Sequence, residues 1–422
     1  SVAVEQPAAD CESANAGEFS VSPGPAGGIL DVSRLEARDH GRNWVIDNHV
    51  VYRASDHATL SFGAAYSHLG RGNYEFLGAV PTDNQIYRTA RLFARMDRRD
   101  PESGRAGYVQ WFGNFESTDM GGHARYRDWV NDLEAQVDLP LGEDHSFSVG
   151  GNVRLIHINA HAPSAQSFMF VGEPYDEQIV GLFAIDRWQV SDPLVLEAQV
   201  RVDWYSESTT DWAGRLSALY ALDSDKHHVL RLSGAKAFRT PMGTLRRVVT
   251  QRGPLPSPPA PPGLYAINLR TPYRDLENEE VYALELGYTG NLKRGVTAQV
   301  NAYAHRYEDL VAFVRLPEPA PQLGRVFYSY TNRGGACAWG AETELAYRHE
   351  RGKLAVWYAY NVLKPDKSRE SYRTYRPAPH KAGLTGRLFL PRGWTFNANF
   401  LYSDESVYQD ADRACFITEP EY

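Results

Sequence analysis

The stretch that decides the fold is Leu194–Tyr205, LVLEAQVRVDWY. Every second side chain from Leu194 to Trp204 is apolar, and most of the intervening positions are charged or polar. Successive side chains of a β-strand point to opposite faces, whereas a helix would scatter these charges around its circumference. The stretch therefore predicts a strand with one apolar face and one polar face.

The same alternation recurs along the chain. Further clear examples are Leu60–Tyr66, Tyr282–Tyr288, Leu354–Tyr360 and Trp394–Tyr402. Counting all such segments gives about sixteen strands, with boundaries uncertain by a few residues. The sequence thus predicts an all-β protein.

The connections between these segments alternate between short and long. Short polar turns are predicted at 55–57, 99–105, 140–144, 191–193, 223–226, 291–295, 348–352 and 391–393. Longer connections are predicted at 68–85, 117–130, 159–176, 206–211, 237–279, 307–328 and 364–379. This pattern predicts an antiparallel up-and-down sheet with one plain end and one elaborated end, which is typical of transmembrane β-barrels.

Composition is compatible with a barrel and excludes other classes. The formal net charge of -8 gives no reason to expect a nucleic-acid partner. No run of 18 apolar residues is present, which excludes transmembrane helices. Barrel strands show lipid only every second side chain, so the mean hydropathy of -0.46 is compatible with them. Aromatic residues near strand ends suggest an interfacial girdle at Trp44, Tyr52, Tyr66, Trp188, Trp204, Tyr205, Trp212 and Trp394.

No motif of an enzyme, a cofactor site or a metal site stands out in the sequence. His157 and His161, and the acidic pairs Asp223/Asp225 and Asp410/Asp412, are better read as ordinary turn and strand residues. The three cysteines are widely spaced, and a disulfide between Cys337 and Cys415 remains open in an oxidising compartment.

Several segments in order resemble the barrel of TonB-dependent outer-membrane receptors. The first is Leu230–Pro241, which contains Phe238-Arg239-Thr240-Pro241. Leu276–Tyr288, Ala302–Val311 and Asn332–Glu344 resemble the strands that follow in that family. An earlier hairpin around Gly181–Asp203 and a later one around Arg376–Tyr402 are similar too. The resemblance covers about residues 177–403 well and 44–158 loosely.

Two features depart from that family. Its members carry an N-terminal plug domain with a segment that contacts TonB, and neither is visible here. Its barrel has 22 strands, against about sixteen here. The domain prediction is therefore a linker or disordered lead-in at 1–40, followed by a partial barrel at 41–422. The Pro-rich segment 254–262 is predicted to be a stiffened part of the longest loop.

The resemblance implies a function in the bacterial outer membrane without enzyme activity. It implies import of a large scarce nutrient, such as a ferric siderophore, cobalamin or a glycan, coupled to TonB through a plug domain. The expected partners are outer-membrane lipid, the TonB complex and a small-molecule or metal-chelate ligand. The alternatives are a passive porin-like channel, which sixteen strands would suit, and a soluble all-β protein.

Candidate site residues fall into two groups. Aromatic and basic residues in two long loops would suit a large anionic or aromatic ligand: Tyr265, Tyr273, Arg274, Tyr372, Arg373 and Tyr375. Charged residues on polar strand faces are predicted to face the lumen, where they would contact a plug or line a polar path: Glu197, Arg201, Asp203, Glu342 and Glu344. Simple solvation of loops and lumen explains both groups equally well.

Overall fold

The fold is that of a computed structural model, and it consists mainly of strands, with a short 3-10 helix at Pro391–Gly393. The structure describes residues 41–71, 85–120, 125–161, 169–170, 174–241, 245–246, 249–251, 267–270, 276–293, 295–315, 325–366, 374–409 and 415–418. In the described residues, no helix is both long enough and apolar enough to cross a membrane.

Sixteen of the strands are long and six are short. The long strands are β1 (Gly41–Ser55), β2 (Ala58–Arg71), β3 (Gln85–Arg99), β4 (Ala106–Met120), β5 (Arg125–Leu141), β6 (His145–His161), β8 (Tyr175–Ser191), β9 (Leu194–Tyr205), β10 (Thr210–Ala221), β11 (His228–Arg239), β14 (Glu279–Lys293), β15 (Val296–Arg315), β16 (Arg325–His349), β17 (Gly352–Pro365), β19 (His380–Phe389) and β20 (Thr395–Ser403). The short strands are β7 (Met169–Phe170), β12 (Val249–Gln251), β13 (Ile267–Arg270), β18 (Thr374–Arg376), β21 (Ser406–Gln409) and β22 (Cys415–Thr418).

The long strands form one antiparallel meander. Each pairs with the long strand before it and the one after it, from β1 to β20. Within the described residues, β1 and β20 each pair with a single long neighbour. The small strands β18, β21 and β22 form a separate sheet. The predicted up-and-down sheet of about sixteen strands is confirmed.

The connections also alternate much as the sequence predicts. The turn between β14 and β15 is tight because Gly295 adopts a φ of 80°, and a Cβ there would overlap the carbonyl oxygen of Arg348. Three of the predicted long connections are wrong. Most of 117–130 is strand, with Asp119 opposite Arg125, because the alternating ladder continues to the ends of β4 and β5. Most of 307–328 is likewise strand, in β15 and β16, and only residues 206–209 join β9 to β10.

Exposure is inverted relative to a soluble sheet protein. In β9, the apolar Val200 is 47% exposed, whereas the intervening Asp203 is 8% exposed. The same holds across the sheet, where the polar face buries Thr118, Asp132, Asn152, Glu177, Ser217 and Ser233. An apolar face turned outward and a polar face turned inward is the arrangement of a transmembrane barrel. We call these the outer and inner faces.

The aromatic residues near strand ends follow this division with one exception. Trp44, Tyr52, Trp188, Trp204, Trp212 and Trp394 are exposed. Tyr205 is 4% exposed and its hydroxyl donates a hydrogen bond to Glu177 at 2.5 Å. Its place in the predicted girdle is therefore wrong, because the parity of β9 turns Tyr205 to the inner face beside Asp203.

Candidate functional site

The inner face carries a charged bridge that crosses three strands. Arg201 on β9 donates to both oxygens of Asp203, at 2.7 and 2.5 Å, and to Asn152 on β6 at 2.7 Å. Between them lies β8, where Gly181 has no side chain. A Cβ at Gly181 would overlap Arg201, Asp203 and Asn152. The glycine therefore leaves room for the guanidinium to span β8.

A second ion pair lies beside this bridge. Arg154 on β6 donates to Asp132 on β5 at 2.5 Å, and Asp132 is only 1% exposed. A buried carboxylate that lost its cation would be strongly destabilising, so the pair fixes the two side chains together. The inner face near β5–β9 is thus a rigid, charge-paired surface.

Further round the sheet, basic side chains converge on one carboxylate. The Glu285 oxygens lie 3.6 Å from Arg215 Nη2, 3.4 Å from Arg231 Nη2 and 4.0 Å from His305 Nε2. All four residues sit on consecutive strands β10, β11, β14 and β15. This part of the inner face is half-exposed and has more basic than acidic groups.

At the long-loop end, an arginine is buried against the inner face. Arg246 is 0% exposed, donates to the Glu207 carbonyl at 2.5 Å and lies 5.0 Å from the Tyr205 ring centroid. Its Nε and Nη2 have no hydrogen-bond partner in the described part of the chain. Glu177, Tyr205, Glu207 and Arg246 form what we call the mouth cluster. It anchors a residue of the longest connection to the wall.

A fifth group, the rim clamp, ties the end of the 240–278 connection to β15 and β16. Asn332 accepts from the Glu277 N–H at 2.8 Å and donates to the carbonyls of Glu277 and Asp309 at 2.9 and 2.8 Å. Glu279 accepts from Arg239 at 2.5 Å and from the Val311 N–H at 2.8 Å. The segments that carried the family resemblance thus meet at one rim.

The predicted inner-face residues divide into two separate groups. Arg201 and Asp203 form the bridge described above, and Glu197 accepts from Gln199 at 2.7 Å. Glu342 and Glu344 are exposed on β16, where Glu344 borders an open cavity of about 1010 Å³. Five strand spacings separate β9 from β16, or roughly 24 Å along the sheet. The structure therefore does not bring the two groups together.

Sequence reasoning did not single out Asn152, Asp132, Arg154 and Arg246. The first three lie at the polar positions of alternating strands, and that parity is the signal that could have found them. No local signal marks Arg246, because its burial depends on the fold of a long connection.

The predicted loop residues Tyr265, Tyr273, Arg274, Tyr372 and Arg373 lie outside the described residues, as do 1–40 and 254–262. Tyr375 lies in β18, opposite Tyr408 of β21. Their role in ligand binding stays a prediction.

Possible ligand atoms for a metal occur together at one short turn. Asp223, Asp225 and His227 place such atoms within 4.8 Å of one another. The Asp223 oxygens already accept from the His227 and His228 N–H groups, at 3.1 and 2.8 Å. Burial raises the pKa of Asp223, and these two backbone donors outweigh it, so that the pKa lies below its usual value. Asp223 therefore acts as the cap of its turn.

The sequence also offered His157 as a possible metal ligand and Cys337 as a possible disulfide partner. His157 pairs with Asp176 at 2.7 Å and stacks on Trp129. Cys337 is a free, exposed thiol, so the disulfide with Cys415 is not formed in this structure.

Comparison with known proteins gives a family match over most of the chain. The model of the family described as "TonB dependent receptor-like, beta-barrel" matches residues 15–419. No curated protein matches the sequence.

Solved structures share the fold at low sequence identity. The siderophore receptor PirA from Acinetobacter baumannii superposes with a TM-score of 0.72 at 12% identity, covering 90% of this chain and 63% of that one. A mutant of the ferric enterobactin receptor PfeA from Pseudomonas aeruginosa, in complex with enterobactin, gives 0.71 at 15%, covering 90% and 61%. The ferripyoverdine receptor of the outer membrane of Pseudomonas aeruginosa, bound to ferripyoverdine, gives 0.63 at 14%, covering 90% and 58%. This chain therefore spans less than two thirds of the length of these receptors.

Proposed function

Since this chain belongs to the TonB-dependent receptor-like β-barrel family, we propose that it is the barrel portion of an outer-membrane receptor that imports a ferric siderophore. Energy would come from TonB, acting on a plug domain held inside the barrel. The protein would work as a transporter without catalytic activity. Among the nutrients that the resemblance implied, an iron chelate is favoured because the similar solved structures are siderophore receptors.

The observation that carries the proposal is the inverted amphipathic meander. Sixteen antiparallel strands expose their apolar side chains on the outer face. Charged groups pair with one another on the inner face. Lipid tolerates an apolar outer face, whereas a charged side chain there costs roughly 2–4 kcal/mol at mid-bilayer. A soluble all-β protein would bury the face that this sheet exposes. The family match supports a TonB-dependent receptor among the proteins that have this general barrel arrangement.

The long-loop end is proposed as the ligand-binding end. The rim clamp fixes both ends of the 240–278 connection, and the mouth cluster anchors Arg246 beside the inner face. Loops on a rigid scaffold are where binding residues concentrate. Tyr265, Tyr273, Arg274, Tyr372, Arg373 and Tyr375 would contact an anionic, aromatic chelate from these loops.

The inner face is proposed as the plug-docking wall. Glu197, Arg201, Asp203, Glu342 and Glu344 would contact the plug, and paired charges with fixed geometry suit repeated docking and release. Because five strand spacings separate the β9 and β16 groups, the plug would contact two separate patches of this wall.

The test is uptake of radioactive iron as ferric chelates by cells that express the gene in its native form, compared with a deletion strain. We expect gene-dependent accumulation of at least one chelate, abolished by a protonophore and by loss of TonB. Accumulation that survives both treatments, together with steady ion conductance in planar bilayers, would contradict the proposal. That outcome would favour a passive porin-like channel, which the sixteen described long strands would suit.

A further inference from the structure

We propose that the outer surface of β2–β6 binds a phosphate-bearing lipid of the leaflet at the long-loop end, with the phosphate held between Arg88 and Arg127. The inference rests on the membrane placement in the proposed function, and goes beyond it by assigning a specific anionic site on the lipid-facing side.

Strand register places a polar row near the long-loop end of this surface. Arg88 on β3 lies opposite Ser117 on β4, and Ser117 lies opposite Arg127 on β5. The row continues to the strands on either side, giving His68, Arg88, Ser117, Arg127 and Asn159 in order across β2–β6. Neighbouring strands lie about 4.8 Å apart, so the two arginine backbones are roughly 10 Å apart. The small Ser117 side chain leaves the space between them open.

The next row toward the middle of the sheet is mostly aromatic. In order across the same strands it consists of Tyr66, Ala90, Phe115, Trp129 and His157. Below it the outer face becomes apolar, with Phe62, Leu92, Leu133 and Val153 exposed. A groove of about 460 Å³ runs across the two upper rows and is bordered by both arginines. Glu116 and Asp128 also line it, from register positions that belong to the inner face. A charged row above an aromatic row above an apolar face matches an amphiphile with an anionic head.

At the long-loop end of this surface, Arg88 and Arg127 are the outer-face arginines of the described residues that have no ion-pair partner. Within the described residues, Arg88 and Arg127 form no ion pair, whereas neighbouring Arg125 is paired with Asp119 at 2.8 Å and His157 with Asp176 at 2.7 Å. Elsewhere on the outer face, Lys236 contacts both Asp211 and Glu280 at 2.8 Å. Two exposed guanidinium groups of like charge on one face repel each other unless an anion lies between them.

A phosphate fits this pair by chemistry and by position. Guanidinium groups bind phosphate oxygens through two parallel hydrogen bonds, and two such groups can hold one phosphate from opposite sides. A free phosphate would use only the upper row. A lipid would also cover Phe115 and Trp129 with its acyl chains. The proposed ligand is therefore a membrane lipid and not free phosphate.

The test is native mass spectrometry of the full chain folded in neutral detergent, titrated with dihexanoyl phosphatidic acid. The variant is Arg88→Gln/Arg127→Gln. The matched control is Arg53→Gln/Arg98→Gln, which removes the same charge from exposed positions at the short-turn end. Dihexanoyl phosphatidylcholine and inorganic phosphate serve as separate ligands. Heat-dependent electrophoretic mobility of each variant reports whether the barrel has folded.

We expect saturable binding of phosphatidic acid that weakens about tenfold or more in Arg88→Gln/Arg127→Gln and is unchanged in the control variant. Equal binding by both variants and the parent would overturn the site. Inorganic phosphate binding as tightly as phosphatidic acid would overturn the lipid assignment. A chain that folds without inserting into detergent or lipid would overturn the membrane placement itself, and with it the proposed function.

Discussion

Gly181 shows how one missing side chain shapes the inner face. Its hydrogen occupies the place where a Cβ would overlap the Arg201 bridge. We predict that Gly181→Ala lowers the free energy of unfolding by about 1–3 kcal/mol, because Arg201 must move and leave Asp203 without its partner. The measurement is denaturant unfolding in detergent micelles.

Gly386→Ala is the matched control for that substitution. The nearest atom to a Cβ at Gly386 is 3.8 Å away, which is ordinary contact. An equal loss of stability in both variants would mean that the cost comes from the strand backbone and not from the bridge.

Asp223 gives a prediction for pH. Its pKa is lowered from 3.8 in the folded chain, so the stabilisation it gives the 222–227 turn is present above that pH and is lost as pH falls through the folded-state pKa. We expect the protection of the His227 and His228 amides, measured as the ratio of the intrinsic to the observed hydrogen-exchange rate, to fall below about pH 3.8. Asp223→Ala should show fast exchange already at pH 7, whereas Asp225→Ala should behave as the parent does.

At the scale of elements, the rim clamp joins the segments that resemble strands of TonB-dependent receptors. Asn332 on β16 alone bonds three backbone groups, two of Glu277 in the 240–278 connection and one of Asp309 on β15. We predict that Asn332→Ala loosens the chain around 277–279 and 309–311, because three backbone groups lose a hydrogen bond that contributes about 0.5–1.5 kcal/mol each. Hydrogen exchange should accelerate there by more than tenfold. Asn48→Ala, on exposed β1, is the control, and similar exchange in both variants would exclude the clamp.

The strands themselves could be predicted because their information is local. The alternation of apolar and polar residues along β9 predicts that it is a strand. It also predicts which residues lie on each face, without knowledge of the adjacent strands. Tyr205 was misplaced because an aromatic residue at a strand end fits either face, and only its parity with Asp203 decides. The 117–130 segment was misread because polar residues continue a lumen-facing strand as readily as they form a loop.

The sites were less predictable because they depend on contacts between distant segments. Arg201 and Asp203 could be placed on a polar face, but their link to Asn152 requires the pairing of β6 with β8 and of β8 with β9. Arg88 and Arg127 form a pair only through the register of three strands. The burial of Arg246 depends on how the longest connection folds back onto Tyr205.

At the scale of the whole molecule, three features support one another. The meander supplies an apolar outer face, the inner face carries charge pairs, and the rim clamp fixes the ends of the 240–278 connection at the long-loop end. We infer that the outer face meets lipid while the inner face meets water or a plug.

The most direct test is a spin-label scan of positions 199 to 204 on β9, in a background that lacks Cys11, Cys337 and Cys415, with the protein in lipid vesicles. Accessibility to oxygen, which partitions into lipid, is compared with accessibility to a water-soluble nickel complex. We predict maximal accessibility to oxygen at Val200, Val202 and Trp204. Gln199, Arg201 and Asp203 should be accessible to the nickel complex or protected from both reagents. Uniform access of the nickel complex to both sets, or an oxygen profile without a period of two, would contradict it.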